Sequence, residues 1–459
     1  MQSVAATPQA DAGLEPFAKS MYRANLFDTI AVAAKVLLPT LAKGVIMRRP
    51  AVLALAERAD MDRRAVRQMQ RIRGKYGEAP LLLAIPKRRI ALVLDPNDVH
   101  QVLNESPEPF AAATAEKTAA LAHFEPKGVL ISKGSERSDR RRFNEEVLET
   151  NHSVHRLAEK FVHVIYDEAS RMSSLLFHAG GDLTWAKFSS AWFRAVRRIL
   201  FGEAAAEDNE LSSDMAALRS AANWGFLRPQ RPELRAKLLN RIERYIGSAD
   251  SGSLATIIRQ TPATSTTAPA EQVPQWLFAF DAAGMATFRA LALLASHRDF
   301  AAEVRDEITS TTSRFDLPKT RASVLESLRL WPTTPLLLRE TTGEVVLGNS
   351  VLPAETAVVI FTPFFHRDNE HLSYADRFTP SLWNGSETSS REYPLIPFSE
   401  GPVVCPGRPL VLLLAPAMIA ATLEYLKLKL ESPQLPRPGG LLPGTLNHFG
   451  LRFAVRPRS

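Results

Sequence analysis

The run from Pro409 to Leu423 carries no charged residue, and it begins just behind Cys405, the only cysteine of the chain. A helix that is apolar on every side has to be covered on every side. The run is too short to cross a bilayer, so it reads as a fully buried core helix. Hydrophobic residues make up 45% and charged residues 23% of the 459 positions, which supplies a core of the required size and excludes disordered, collagen-like and disulfide-scaffold classes. A lone cysteine forms neither an internal disulfide nor a Cys-rich zinc site, and a reducing cytoplasm is the expected compartment. Lys and Arg number 56 against 49 Asp and Glu, a net charge of +7. The excess is spread along the chain, which favours an acidic partner or a membrane surface over dedicated nucleic-acid binding.

Length alone predicts about three domains, yet no stretch has the composition of a linker and no repeat occurs. The expected organisation is a disordered segment at 1–20 followed by one domain over 21–459, mainly α with small β-sheets. Met1–Gly13 lacks the basic-then-apolar order of a signal peptide. Thr29–Met47 is broken by Lys35, Pro39 and Lys43 and reads as a packed amphipathic helix, with membrane contact at most peripheral. Helical periodicity marks Asp60–Arg73 and Val154–Ser170. A β pair is expected at Leu81–Ile85 and Ile90–Leu94, then a helix that Asp95 caps and Pro96 opens. Glu344–Phe361 reads as strand-rich, and a last hairpin is expected between Leu441 and Val455. Thr261–Ala270 reads as a low-complexity surface loop before an apolar helix.

The segment Pro397-Phe398-Ser399-Glu400-Gly401-Pro402-Val403-Val404-Cys405-Pro406-Gly407-Arg408-Pro409 is rigid. It holds the sulfur near a helix N-terminus, where free N–H groups stabilise a thiolate, with Phe398 as a shield. Such a thiolate suits a soft metal, although an inert packed cysteine has the same local composition. The pattern F-x-x-G-x-x-x-C-x-G resembles the haem loop of the cytochrome P-450 family, soluble bacterial type. In that loop the cysteine is the axial iron ligand, and Phe398, Gly401 and Gly407 line the cofactor. Glu326-Ser327-Leu328-Arg329, followed by Leu330-Trp331-Pro332, resembles the family's helical E-x-x-R ion pair. Arg339, Phe378-Thr379-Pro380 and His366-Arg367-Asp368 also match, and the resemblance runs from about Tyr76 onward. His366-Arg367-Asp368 alone is kinase-like, but neither a glycine-rich loop nor D-F-G accompanies it. The resemblance makes it a structural turn.

Ala283-Gly284-Met285-Ala286-Thr287 resembles the oxygen-activating segment of the family's central helix. The resemblance implies that Ala283 and Gly284 admit the macrocycle and that Thr287 relays protons. The acid of that motif is replaced by Ala286, which leaves Asp281 or waters to deliver protons. Arg137 and Arg141 resemble the third-helix pair that holds a haem propionate, and Arg339 the strand arginine that does the same. Arg140 and Arg142 read as a solvated basic face. Two departures stand out. Val403 replaces a basic residue, for which Arg137 compensates, and Leu382 replaces the arginine that completes the Glu326–Arg329 network.

The implied protein is a single-domain haem-thiolate monooxygenase with haem b (iron protoporphyrin IX). It takes O2 and a hydrophobic small molecule, and its electrons come from a ferredoxin or flavodoxin-type donor with its reductase. The donor docks on the cysteine-loop face through Arg408 and Arg140–Arg142. A haem-binding protein without oxygenase turnover and a peroxide-driven oxygenase are the alternatives. The segment Phe110–Leu130, the helix around Phe280–Thr287 and Pro335–Leu338 are the expected pocket linings.

Overall fold

The computed structural model describes residues 22–249, 251–383, 393–435 and 439–458, and the expected disorder at 1–20 lies outside that range. The apolar run becomes the helix Arg408–Tyr425, with Leu413 to Leu423 buried throughout. Around it pack the helices Ala158–Ala179, Val273–Ser296 and Pro318–Leu330, and Trp185–Phe201 packs on the first two of these. Their apolar faces merge into one core that includes Trp192, Phe288, Leu291, Leu414 and Met418. Val273–Ser296, the central helix, is buried along most of its length because its sequence is apolar on all sides. It and Arg408–Tyr425 are long and apolar enough to cross a membrane, but both are core helices here.

A second apolar cluster lies under a six-stranded mixed sheet. The strand order is Tyr22–Arg23, Leu81–Leu82, Ile90–Leu92, Ala357–Phe361, Leu336–Thr341, Phe110–Ala111. The expected pair around residue 85 is present with short strands, Leu81 opposite Leu92. Asp95 accepts from the N–H groups of Asn97 and Asp98 and caps Pro96–Asn104 as its position predicts. Val345–Leu347 and Ser350–Leu352 form a separate hairpin.

Three expectations are corrected. The last hairpin is not local: Leu426–Ser432 pairs antiparallel with Arg452–Pro457 across a long connection. The helix expected from Val154 starts at Ala158 and extends to Ala179. The threonine loop before the central helix is more than surface, because Thr264, Thr266 and Thr267 all turn their hydroxyls onto Asp139, with Thr267 fully buried.

His366-Arg367-Asp368 is a structural hub, as the resemblance implies. His366 Nε2 accepts from the Ile396 N–H at 2.9 Å, and burial followed by the nearby Arg329 charge holds its pKa down at about 3. Arg367 binds Asp376 and the carbonyls of Leu330, Leu442 and Pro443. Asp368 gathers Gln70, Arg73, His371 and Tyr393. The turn thus ties the N-terminal helix Met61–Tyr76 to the C-terminal third of the chain.

Candidate functional site

The cysteine loop is moulded from several sides. Cys405 N–H donates to the Phe398 carbonyl and Val404 N–H to that of Gly401, each at 2.9 Å. Arg141 Nη1 reaches the Val404 carbonyl at 2.7 Å and Thr150 Oγ1 that of Pro406 at 2.8 Å. Opposite, Glu400 meets His100 at 2.9 Å and Asn104 at 3.3 Å. Gly401 has φ +68°, and a Cβ there would stand 2.3 Å from the Leu103 carbonyl oxygen, so only glycine lets the loop lie on the helix Pro96–Asn104. Phe398 packs at the edge of the main core, and a Cβ on Gly407 would come within 3.9 Å of the sulfur.

Cys405 is half-buried. Burial is the largest influence on its thiol and pushes the pKa up. The N–H groups of Gly407 and Arg408 and the Arg141 charge pull it down by less. The helix start therefore aims donors at the sulfur, as expected, but does not by itself make a thiolate. Among the described residues no cluster of three or more His, Cys, Asp or Glu side chains forms a metal site.

Beside the loop lie the buried cations Arg137 and Arg339 and the half-buried Lys117, none of which has a carboxylate partner among the described residues. Arg137 is 8% exposed, and its Nε and Nη2 have no hydrogen-bond partner. Arg339, 2% exposed, donates only to Ser106 Oγ, Ser399 Oγ and the Leu338 carbonyl. Lys117 Nζ donates to the carbonyls of Ala112 and Leu338, both at 2.9 Å. Burial, then the charge of Arg137, lowers the Arg339 pKa to about 10. Burial, then Arg339, holds Lys117 well below its ordinary value. Arg141 joins through its charge on Arg137, but it also pairs with Glu145 at 2.6 Å. Uncompensated buried charge costs several kcal/mol, roughly. A planar group that brings two carboxylates fits this arrangement, and haem b with its propionates is such a group.

Lys117 was not legible in the sequence, where a lysine in a short helix, Ala115–Leu121, reads as solvated. It adds a cation from a different element where Val403 provides none. Arg140 corrects the solvated-face expectation. It is buried and held by the Thr266 carbonyl, Ser132 and Glu136. Arg142 is paired with Asp139 and Glu146. The run expected to dock an acidic partner is therefore mostly neutralised internally, leaving Arg408 exposed.

Glu326 and Arg329 form a bidentate pair at 2.6 and 2.9 Å with both side chains 0% exposed. Arg329 also donates to the carbonyls of His366, Ala375 and Arg377. The network does have a further member. Trp383 Nε1 donates to Glu326 Oε1 at 2.9 Å and Thr379 N–H to Oε2 at 2.6 Å, so the indole beside Leu382 takes the place expected of an arginine.

On the central helix, Thr287 Oγ1 donates to the Ala283 carbonyl at 2.8 Å, and both residues are buried. Ser327 Oγ donates to the Ala286 carbonyl and Trp192 Nε1 to that of Phe280. Gly284 also serves helix packing, the alternative that its place on a core helix allows. A Cβ there would lie 2.8 Å from the Trp192 indole, so its bareness serves helix packing against Trp185–Phe201. Asp281, the expected alternative proton source, is engaged by Arg219 at 2.5 Å.

Comparison with known proteins agrees with this geometry. The family model described as "Cytochrome P450" matches residues 272–446. A sugiol synthase of Salvia miltiorrhiza is 33% identical over 174 residues, 35% of each chain. A geraniol 8-hydroxylase of Swertia mussotii is 32% identical over 134 residues, covering 28% of this chain and 26% of its own. The matched segments thus span only about a third of these relatives' length or less. The haem domain of cytochrome P450DA superposes with TM-score 0.68 at 17% identity, covering 86% of this chain and 93% of that one. A zebrafish cytochrome P-450 solved with abiraterone gives 0.66, again at 17% identity, over 85% and 98%. Residues 272–446 thus resemble the cytochrome P-450 family, and the chain has the mainly α fold of these solved structures.

Proposed function

We propose that this protein is a haem-thiolate monooxygenase that inserts one oxygen atom of O2 into a hydrophobic organic substrate, with electrons from a separate ferredoxin or flavodoxin-type donor and its reductase. The observation that carries this reading is the pairing of one moulded cysteine with adjacent buried cations that lack acids. Cys405 would bind the haem iron, and Arg137, Arg141, Arg339 and Lys117 would hold the propionates. The chemistry that a bound haem supplies is reductive activation of O2, the second oxygen atom leaving as water.

The chain's own residues do the rest. The Phe398 and Gly401 carbonyl contacts fix the cysteine backbone, so the sulfur is presented without reorganisation. Thr287, donating to the Ala283 carbonyl, keeps its oxygen lone pairs free to accept a hydrogen bond from a water. Phe110, Phe124, Phe280 and Ala283 are buried and apolar, which excludes water and favours an apolar substrate. Geraniol and drimenol, named in two relatives, head a panel of compounds for binding spectra. The catalytic domain spans 21–459, and with its one thiol engaged the protein is suited to the reducing cytoplasm.

The test is spectroscopic, then kinetic. Carbon monoxide added to the reduced protein gives the strongly red-shifted band of thiolate ligation; a histidine-type band overturns the assignment of Cys405. Product formation with a ferredoxin and reductase supports the monooxygenase. Product with peroxide alone, or no product from any system, selects the two alternatives in turn.

A further inference from the structure

The seam between two of the expected pocket linings carries positive charge of its own. The central helix Val273–Ser296 runs past Thr287 to Arg289, and the chain after Pro318–Leu330 runs through Trp331 and Thr333 to Pro335–Leu338. Arg289 spans the two. Its Nη1 donates to the Trp331 carbonyl at 3.2 Å and its Nη2 to that of Leu446 at 2.9 Å. The residue is 4% exposed, and its Nε has no hydrogen-bond partner. Arg48, half-buried, reaches the same seam from the N-terminal side. It donates to the Thr333 carbonyl at 2.6 Å and to that of Gly44 at 2.8 Å. Within reach of both charges lies His448, 1% exposed, its Nδ1 also without a partner.

Carbonyls satisfy hydrogen bonds but do not cancel charge. Among the described residues neither Arg48 nor Arg289 pairs with a carboxylate. The neighbouring acids are engaged elsewhere: Asp62 holds Lys43 and Thr445, Asp281 holds Arg219, and Glu57 accepts from the Asn447 N–H. Burial, then the charge of Arg48, lowers the Arg289 pKa to about 9 against the opposing pull of Asp62 and Glu57. Burial also raises the pKa of Glu57, which weakens its compensation. His448 is held well below the ordinary imidazole value by burial, then by Arg289 and Arg48, so it adds a neutral hydrogen-bonding nitrogen.

Unpartnered nitrogens beside uncancelled buried charge mark the place of an anion that the polypeptide does not supply. Phe280 and Ala283 on the same helix are buried and apolar, so an anion in this place comes with an apolar body. A carboxylate suits the planar fork of a guanidinium.

We propose that Arg289, with Arg48 and His448, forms an anion subsite that holds the carboxylate of an apolar acid, and that such acids are the preferred substrates. This rests on the monooxygenase reading and narrows its substrate class. Arg289 lies two residues beyond Thr287, about 3 Å further along the axis and on a different face. The charged end is therefore held off the side that Thr287 serves, and the apolar body lies toward Phe280 and Ala283.

The experiment is calorimetric titration of the holoprotein with ligand pairs that share a carbon skeleton: geranic acid with geraniol, and decanoic acid with 1-decanol. At least one acid should bind about tenfold more tightly than its alcohol. Acetate, the head group without the body, should bind at least about 100-fold more weakly than that acid. Arg289→Met should weaken acid binding about tenfold and leave the alcohol within about twofold, while Arg289→Lys, which keeps the charge, should recover part of the loss. Arg48→Gln, at a less buried position, should weaken acid binding about threefold and serves if Arg289→Met does not fold; the haem spectrum of each variant reports an intact fold. Alcohols that bind as tightly as their acids overturn the proposal, as does an acid preference that the Arg289 and Arg48 variants leave unchanged. Acetate binding as tightly as decanoate also overturns it, because the site then takes any small anion. The two readings fail separately. An Arg289-dependent acid preference without the thiolate band removes the monooxygenase and keeps the subsite; the band and product without that preference remove the subsite alone.

Discussion

Two buried charge clusters lie within the same fold and follow opposite rules. Around Glu326 and Arg329 every charged atom has a partner, and three backbone carbonyls, one N–H and an indole complete the set. Around Arg137, Arg339 and Lys117 the cations meet hydroxyls and carbonyls but no acid among the described residues, and two nitrogens of Arg137 find no partner there. The first cluster is closed and holds three parts of the chain together. The second carries positive charge that the protein alone does not neutralise, which marks it as half of a binding site.

The largest expected effect concerns Cys405, the proposed metal ligand beside the open cluster. Cys405→Ser should abolish the red-shifted carbon monoxide band and all reductase-driven product, because no other described cysteine exists to replace it.

Next comes the closed cluster. Glu326→Gln leaves Arg329 as a buried unpaired charge, and loss of a buried partner costs about 3–5 kcal/mol. Denaturant unfolding of the apoprotein should show that loss; a change within about 0.5 kcal/mol would show that the network is not closed.

Asp98 is the anionic mirror of the open cluster. Its Oδ2 is buried without a partner, and burial, then the charges of Asp95 and Glu78, raises its pKa to about 7. Between the ordinary value of 3.8 and about 7 the folded state keeps a proton that the unfolded chain releases. Its contribution to stability is therefore complete below the lower value and is lost as pH rises through the upper one. Asp98→Asn should flatten that part of the pH–stability curve and stabilise the protein at pH 8.

Arg137→Met tests the open cluster with the opposite sign to Glu326→Gln. Removing an unmatched cation should leave the apoprotein at least as stable, while haem affinity falls about tenfold, a change of about 1.4 kcal/mol. Apoprotein melting and haem transfer to a scavenger separate the two readouts.

The smallest expected effect lies on the central helix. Thr287→Ala should lower product formed per reductant consumed about threefold or more, with peroxide released. An unchanged ratio would assign Thr287 to its bond with the Ala283 carbonyl alone.

The contrast also explains what the sequence could reveal. Cys405, Glu326, Arg329, Arg137 and Arg339 sit in motifs whose spacing is local, so the residues can be read along the chain. Trp383 and Lys117 act through contacts across many tens of residues, 57 positions for Trp383 to Glu326 and 221 for Lys117 to Leu338, and no local pattern reports them. The contact of Gly284 with the Trp192 indole was not legible, because a bare position on a core helix serves a macrocycle or a neighbouring indole equally well. The strand Leu426–Ser432 did carry a usable signal, alternation of leucine with Lys427, Lys429 and Glu431, whereas its partner 20 residues or more away set the pairing.

The contact between Gly401 and the helix Pro96–Asn104 has a consequence for how this chain can diverge. Any side chain at position 401 meets the Leu103 carbonyl, and the left-handed backbone there disfavours it independently. No substitution at Gly401 can be compensated by trimming a neighbour, because the obstacle is backbone. Lineages descended from this sequence can exchange Leu103 or Asn104 for other residues and keep the cysteine in place. They cannot drift at Gly401, so the position acts as a ratchet: the surrounding helix is free to evolve only along paths that leave this one atom-sized gap unfilled.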